Sequence, residues 1–92
     1  MSYKLAFTQT ADADFNALKK SGDKATIRKI NQLLSELREH PYIGTGKPKP
    51  LKHMPANTFS RRINKKDRLV YNVNNEKILV LVLSLAGHYD DK

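Results

Sequence analysis

Cysteine and tryptophan are both absent from this chain of 92 residues. Without cysteine no disulfide can brace the fold, no thiolate can hold a metal and no thiol can act as a nucleophile. Histidine is scarce too: His40, His53 and His88 stand far apart and lack the close spacing of a zinc site, so no metal or other cofactor is expected. No apolar run approaches the ~18–20 residues that cross a bilayer. The longest, Ile78 to Leu83, has the length of a strand. The stretch Met1-Ser2-Tyr3-Lys4-Leu5-Ala6-Phe7 has neither the apolar core nor the cleavage site of a signal peptide, so a cytoplasmic protein without membrane contact is expected. The length fits one domain, residues 1–92, which buries only about 60–65% of its unfolded surface.

Acidic residues are missing where basic ones are densest. The formal net charge is +8, from 17 basic and 9 acidic residues. Residues 47–68 carry 8 of the basic residues and only Asp67 against them, a local excess of +7. Residues 1–46 sum to +2 and residues 69–92 to −1. A block of charge of this kind reads as a surface for a polyanion rather than as general solubility.

The remaining pattern is that of an α+β domain. Tyr3, Leu5 and Phe7 alternate as on a short strand. Thr8 or Thr10 can cap a first helix, with Asp12 and Asp14 in its first turn, and Ala11, Phe15 and Leu18 follow helical spacing. Gly22 closes that helix and Asp23 opens a second, whose apolar stripe is Ile27, Ile30, Leu33, Leu34 and Leu37. Lys24, Arg28, Lys29, Gln32 and Glu36 form its polar face. His40-Pro41 ends it, and Pro41 to Pro50 reads as a loop. Strands follow at Thr58 to Ile63, Leu69 to Val73 and Lys77 to Ser84, the last pair joined by a tight Asn74-Asn75 turn. The predicted order is β-α-α-β-β-β, an antiparallel sheet with two helices packed on one face.

Strand periodicity sorts the basic residues. Phe59, Arg61 and Ile63 share one face, with Arg61 directed to the packed side of the sheet or to its edge. Arg62 takes the other face, joined there by Arg68, Val70 and Asn72 of the next strand, while Leu69, Tyr71 and Val73 form the core row. Two guanidinium groups on an open face, beside a lysine-bearing loop, suit phosphate oxygens.

The run Gly44-Thr45-Gly46-Lys47-Pro48-Lys49-Pro50-Leu51-Lys52-His53 resembles the central motif of the YoeB/Txe toxins, which are RelE-like ribonucleases of type II toxin–antitoxin systems. Phe59-Ser60-Arg61-Arg62-Ile63, Arg68-Leu69-Val70-Tyr71 and Gly87-His88-Tyr89 continue the resemblance in order. It implies a RelE-like fold and a metal-independent endonuclease (an mRNA interferase) that cuts mRNA in the ribosomal A site. The chemistry implied is attack of a 2′-hydroxyl on the adjacent phosphate, which needs a base, cations for the developing charge and an acid for the leaving oxygen. By position Arg68 matches the catalytic arginine and His88 the catalytic histidine. Arg62 and Lys52 match residues along the RNA backbone, Lys47 is expected to bind RNA beside them, and Tyr89 matches a terminal tyrosine on which a base can stack.

The fourth residue of the family's Gly-Lys-Pro-Glu pattern, its proposed general base, is Lys49 here. A lysine accepts a proton only in its neutral form, which neighbouring cations favour. Lys49 is therefore read either as the base or as a phosphate contact, and the chain either as an active enzyme or as a catalytically weakened module that binds RNA or an antitoxin. The partners implied are mRNA on the ribosome and a YefM/Phd-like antitoxin, with a homodimer as a further option and DNA reached only through the antitoxin complex. Taken without the resemblance, His88 reads as an ordinary surface histidine. The Asp90-Asp91-Lys92 tail extends beyond the pattern.

Overall fold

A computed structural model describes residues 2–21 and 23–86. The elements run β1 (Lys4–Phe7), α1 (Gln9–Lys20), α2 (Lys24–Glu39), β2 (Lys49–Pro50), β3 (Thr58–Arg62), β4 (Arg68–Asn74) and β5 (Leu79–Ser84). They form a five-stranded sheet in the order β1-β5-β4-β3-β2. The predicted order of helices and strands is present, and three details refine it. A two-residue strand, β2, lies within the stretch read as loop. β1 joins β5 in parallel, pairing Lys4 with Leu79 through Phe7 with Val82, while the other ladders are antiparallel. Parallel neighbours need a long connection, and two helices and three strands separate β1 from β5. Finally, β4 and β5 are joined by a longer turn than Asn74-Asn75. The Asn74 side chain accepts from the Lys77 amide at 3.0 Å, and Ile78 has φ of 51°, so β5 begins only at Leu79.

Local chemistry sets the helix starts. The Thr8 hydroxyl accepts from the Ala11 amide at 3.1 Å, and Asp23 accepts from the Thr26 amide at 3.0 Å. Of the two acids expected in the first turn of α1, only Asp12 is there. Asp14 lies deeper in the helix, is buried, and accepts from the Leu85 amide at 3.0 Å. Gly22 lies outside the described residues; α1 is capped by Ser21.

Ala11, Ile30, Leu33 and Leu37 from the helices meet Leu69, Tyr71 and Val73 of β4 and Val80 and Val82 of β5. Ile27, Leu34, Phe15 and Leu18 lie at the margin. β5 is apolar from Leu79 to Leu83, but its two faces are not equally covered. Val80 and Val82 are buried while Leu79, Leu81 and Leu83 are only half-buried. Val70 pairs with Ser84 but Tyr71 pairs with Val82, which leaves Leu83 as an extra residue in β5. Such a bulge bends the strand. The Leu83 carbonyl accepts from the Thr8 hydroxyl at 2.7 Å, so the cap of α1 also holds the strand where it turns.

Candidate functional site

The site begins with register. Across β3 and β4, Ser60 stands opposite Val70 and Arg62 opposite Arg68. Across β2 and β3, Lys49 stands opposite Ser60. Directly opposed residues share a face, and so do residues two apart on one strand. Lys49, Arg62 and Arg68 therefore occupy the same side of the sheet, away from the helices. That side is not open along its length, as the alternation alone had suggested: Val70 is fully buried and Asn72 half-buried. Exposure begins at the end of the strands that carries the two arginines.

A cleft of about 570 Å³ opens at this end, and its cationic walls are Lys29, Lys47, Lys49, Arg62, Lys65 and Arg68. Among the described residues no acidic side chain lines it. The backbone of Lys47 is left-handed, with φ of 51°, a conformation costly for a residue with a side chain. Lys52 and His53 are exposed but lie outside the lining, in the turn that follows β2. His88 and Tyr89 lie outside the described residues.

Arg61 points the other way and carries no exposed surface. All five of its N–H donors are used. Nε donates to the Tyr71 hydroxyl at 3.2 Å. Nη1 donates to Glu36 Oε1 at 3.1 Å and to the Thr45 carbonyl at 3.3 Å. Nη2 donates to the carbonyls of His40 at 2.6 Å and Ile43 at 2.8 Å. The Tyr71 hydroxyl in turn donates to the Pro41 carbonyl at 2.6 Å. One guanidinium thus collects the carbonyls of the loop that leads to Lys47 and Lys49. Glu36 completes the clamp by accepting from the Thr45 amide at 2.8 Å and hydroxyl at 2.6 Å. Burial pushes the Glu36 carboxyl up, but the Thr45 hydrogen bonds and the Arg61 charge outweigh it and hold the carboxyl below its ordinary range. Burial pushes the Tyr71 phenol up, against the opposing pull of Arg61.

The clamp leaves no room for a side chain at Gly44, where φ is +125°. A Cβ there would lie 2.5 Å from Glu36 Oε1 and 3.0 Å from Arg61 Nη1. Downstream, the Gly46 carbonyl accepts from the Arg62 amide at 2.9 Å, which fixes the loop to β3 beside the cleft.

Among the described residues no three His, Cys, Asp or Glu side chains gather to hold a metal ion. The chemical character of the cleft is concentrated fixed positive charge on a rigid sheet end, fitted to phosphodiester oxygens.

The same arrangement of chain is found in known proteins. The family model of the YoeB-like toxin of bacterial type II toxin-antitoxin systems matches residues 7–89. The chain belongs to this family. A nuclease role, at that general level, comes with membership. The YoeB toxin of Synechocystis is 36% identical over 86 residues, which cover 94% of this chain and 96% of that one. The YoeB/ParE toxin structure from Agrobacterium tumefaciens superposes with a TM-score of 0.85 at 34% identity, covering 94% of this chain and 99% of that one. The Staphylococcus aureus YoeB–YefM complex gives a TM-score of 0.79 at 31% identity, and the YoeB dimer from that organism gives 0.81 at 33%; each covers 97% of this chain and 100% of that one.

Two lining residues of the YoeB-like cleft, Lys29 and Lys65, were not among those picked out from the sequence. Lys29 had been assigned only to the polar face of α2, and Lys65 only to the basic block. Nothing in the order of residues signals that helix and turn meet at one cavity.

Proposed function

We propose that this YoeB-like chain, acting as one toxin domain over residues 1–92, is a ribosome-dependent endonuclease that cuts mRNA in the A site without a metal. The observation that carries the reading is the convergence of Lys49, Arg62 and Arg68 on one face of a strongly cationic cleft. The 2′-hydroxyl oxygen attacks the adjacent phosphorus, a new O–P bond forms, and the bond to the 5′-oxygen breaks to leave a 2′,3′-cyclic phosphate and a 5′-hydroxyl. Neutral Lys49 accepts the proton of the attacking hydroxyl. Arg68, with Arg62 opposite it, stabilises the extra negative charge on the phosphate oxygens. His88 gives its proton to the leaving oxygen, and Tyr89 stacks on a base. Lys47 contacts the backbone inside the cleft, and Lys52 contacts it beyond the end of β2.

A YefM/Phd-like antitoxin neutralises the toxin, and through that complex it reaches DNA. The toxin works in the cytoplasm and also forms a homodimer. The Staphylococcus aureus relative, solved both with YefM and as a dimer, supports the two assemblies.

Ribosomes programmed with a defined mRNA test the reading. The wild type cleaves within the A site, and Arg68→Ala lowers the rate by about 10²–10³-fold, as expected for loss of a donor to developing charge. Intact message after prolonged incubation with wild-type protein overturns it.

The substitution of lysine at position 49 favours a second reading, a catalytically weakened fold that retains RNA or antitoxin binding. Lys49→Glu separates the two: faster cleavage points to a disabled base, slower cleavage to a lysine that already serves the reaction.

A further inference from the structure

We propose that Lys29 and Lys65 form a second phosphate subsite in the cleft, which takes an RNA phosphodiester flanking the one that is cut. The inference rests on the proposed action on RNA and extends it to residues not assigned by motif or register.

Lys29 belongs to α2 and Lys65 to the turn between β3 and β4, yet both line the cavity that holds Arg62 and Arg68. Their meeting is built into the structure. The Asn64 side-chain amide donates to the Thr26 hydroxyl at 3.3 Å and to Asp67 Oδ2 at 3.0 Å. Its oxygen accepts from the amides of Lys66 at 2.9 Å and Asp67 at 2.7 Å. The Ile63 and Asn64 amides both donate to the Asp67 carbonyl, at 3.0 and 3.3 Å. The turn is therefore tightly closed and fastened to the first turn of α2. Thr26 and Lys29 are three residues apart on a helix, so they neighbour each other on its surface. Fastening Asn64 to Thr26 brings the turn that bears Lys65 alongside the helix position that bears Lys29.

The charges at this corner divide by task. Lys65 lines the cleft, whereas Lys66, next to it in sequence, lies outside the lining. Asp67, the one acid of the 47–68 segment, is buried and accepts from Asn64. Among the described residues no carboxylate pairs with Lys29 or Lys65. Lys29 and Lys65 carry like charges on the wall of one cavity, and a polyanion bound there relieves their mutual repulsion. The volume, about 570 Å³, is of the size that takes a small organic ligand, more than a single phosphate group needs. Its cations run from α2 across the sheet end to β2, which suits successive phosphates of one strand.

The test compares the double variant Lys29→Gln/Lys65→Gln with a control, Lys4→Gln/Lys77→Gln, which removes the same charge from exposed positions outside the cleft. The probe is a 2′-O-methylated hexanucleotide, which binds without being cut, titrated across a range of salt. The subsite pair should lower affinity at low salt roughly tenfold and reduce the slope of log K against log salt by about 1.4, two single-strand phosphate contacts. The control should change both far less. The same titration on ribosomes with an empty A site identifies the source of the phosphate. A loss on the hexanucleotide supports the flanking-phosphate subsite, whereas a loss on ribosomes alone points to ribosomal RNA and overturns it. Equal losses for both pairs, or none on either probe, overturn the proposal. Thermal melting verifies that both double variants are folded. Failure of the endonuclease reading shows separately: wild type that binds RNA through Lys29 and Lys65 but leaves programmed mRNA intact sinks that reading and leaves the subsite standing.

Discussion

Arg62 and Arg68 stand directly opposite each other across β3 and β4. Like charges in facing positions of a ladder destabilise it by roughly 0.2–1 kcal/mol. Arg62→Gln should therefore leave the unfolding free energy unchanged or raise it by up to about 1 kcal/mol. The same variant should bind single-stranded RNA with a salt slope smaller by about 0.7. Urea unfolding and a salt titration measure the two effects. A loss of stability would show that Arg62 braces the fold instead of serving the cleft.

Arg61 gives the opposite expectation. Arg61→Met removes the partner of Glu36 and leaves four loop and helix-end acceptors and the Tyr71 hydroxyl without their donor. Breaking a buried pair by removing one side costs about 3–5 kcal/mol. Arg61→Lys should also fail to restore stability, because an ammonium has three donors where five are used. Denaturant midpoints decide this, and a lysine variant as stable as wild type would refute the clamp.

Stability should fall in acid partly through Glu36. Its carboxyl lies below the ordinary range in the folded state, so it contributes stability above the unfolded value, about 4.3. That contribution disappears as the pH drops through the lower folded value. Glu36→Gln should be less stable than wild type near pH 7 by a gap that closes below about pH 4. Unfolding curves at several pH values check it; parallel curves would rule out the role.

The left-handed backbone at Lys47 offers a further test. Lys47→Ala keeps the conformational cost and loses the charge, whereas Lys47→Gly loses both. The glycine variant should be more stable than the alanine variant by about 1 kcal/mol, and the two should bind RNA equally weakly. Different affinities would mean that the loop conformation, not the charge alone, matters to binding.

Much of this was legible in the residue order, and the reasons are specific. Period-two alternation separated Arg61 from Arg62, and the 3.6-residue stripe of α2 picked out Ile30, Leu33 and Leu37, because each rule follows from backbone geometry alone. Alternation assigns a face but neither a neighbour nor a cover. It could not reveal that β1 runs parallel to β5, and it placed Val70 on an open face that is closed. The strand at Lys49 and Pro50 is too short to show a period. The carbonyls gathered by Arg61 come from a loop, where no repeat marks which atoms will meet. Lys29 and Lys65 line one cavity beside the bond from Asn64 to Thr26, a tertiary hydrogen bond with no local signature.

The parallel pairing of β1 with β5 also governs when the molecule can assemble. Lys4 finds its sheet partner at Leu79, and the Thr8 hydroxyl its acceptor at Leu83. Until β5 has left the ribosome, β1 has no strand beside it in the sheet. Closing so long a loop carries an entropic cost that local contacts do not repay. A nascent chain that lacks β5 thus holds the basic segment of residues 47–68 without the completed sheet that aims it.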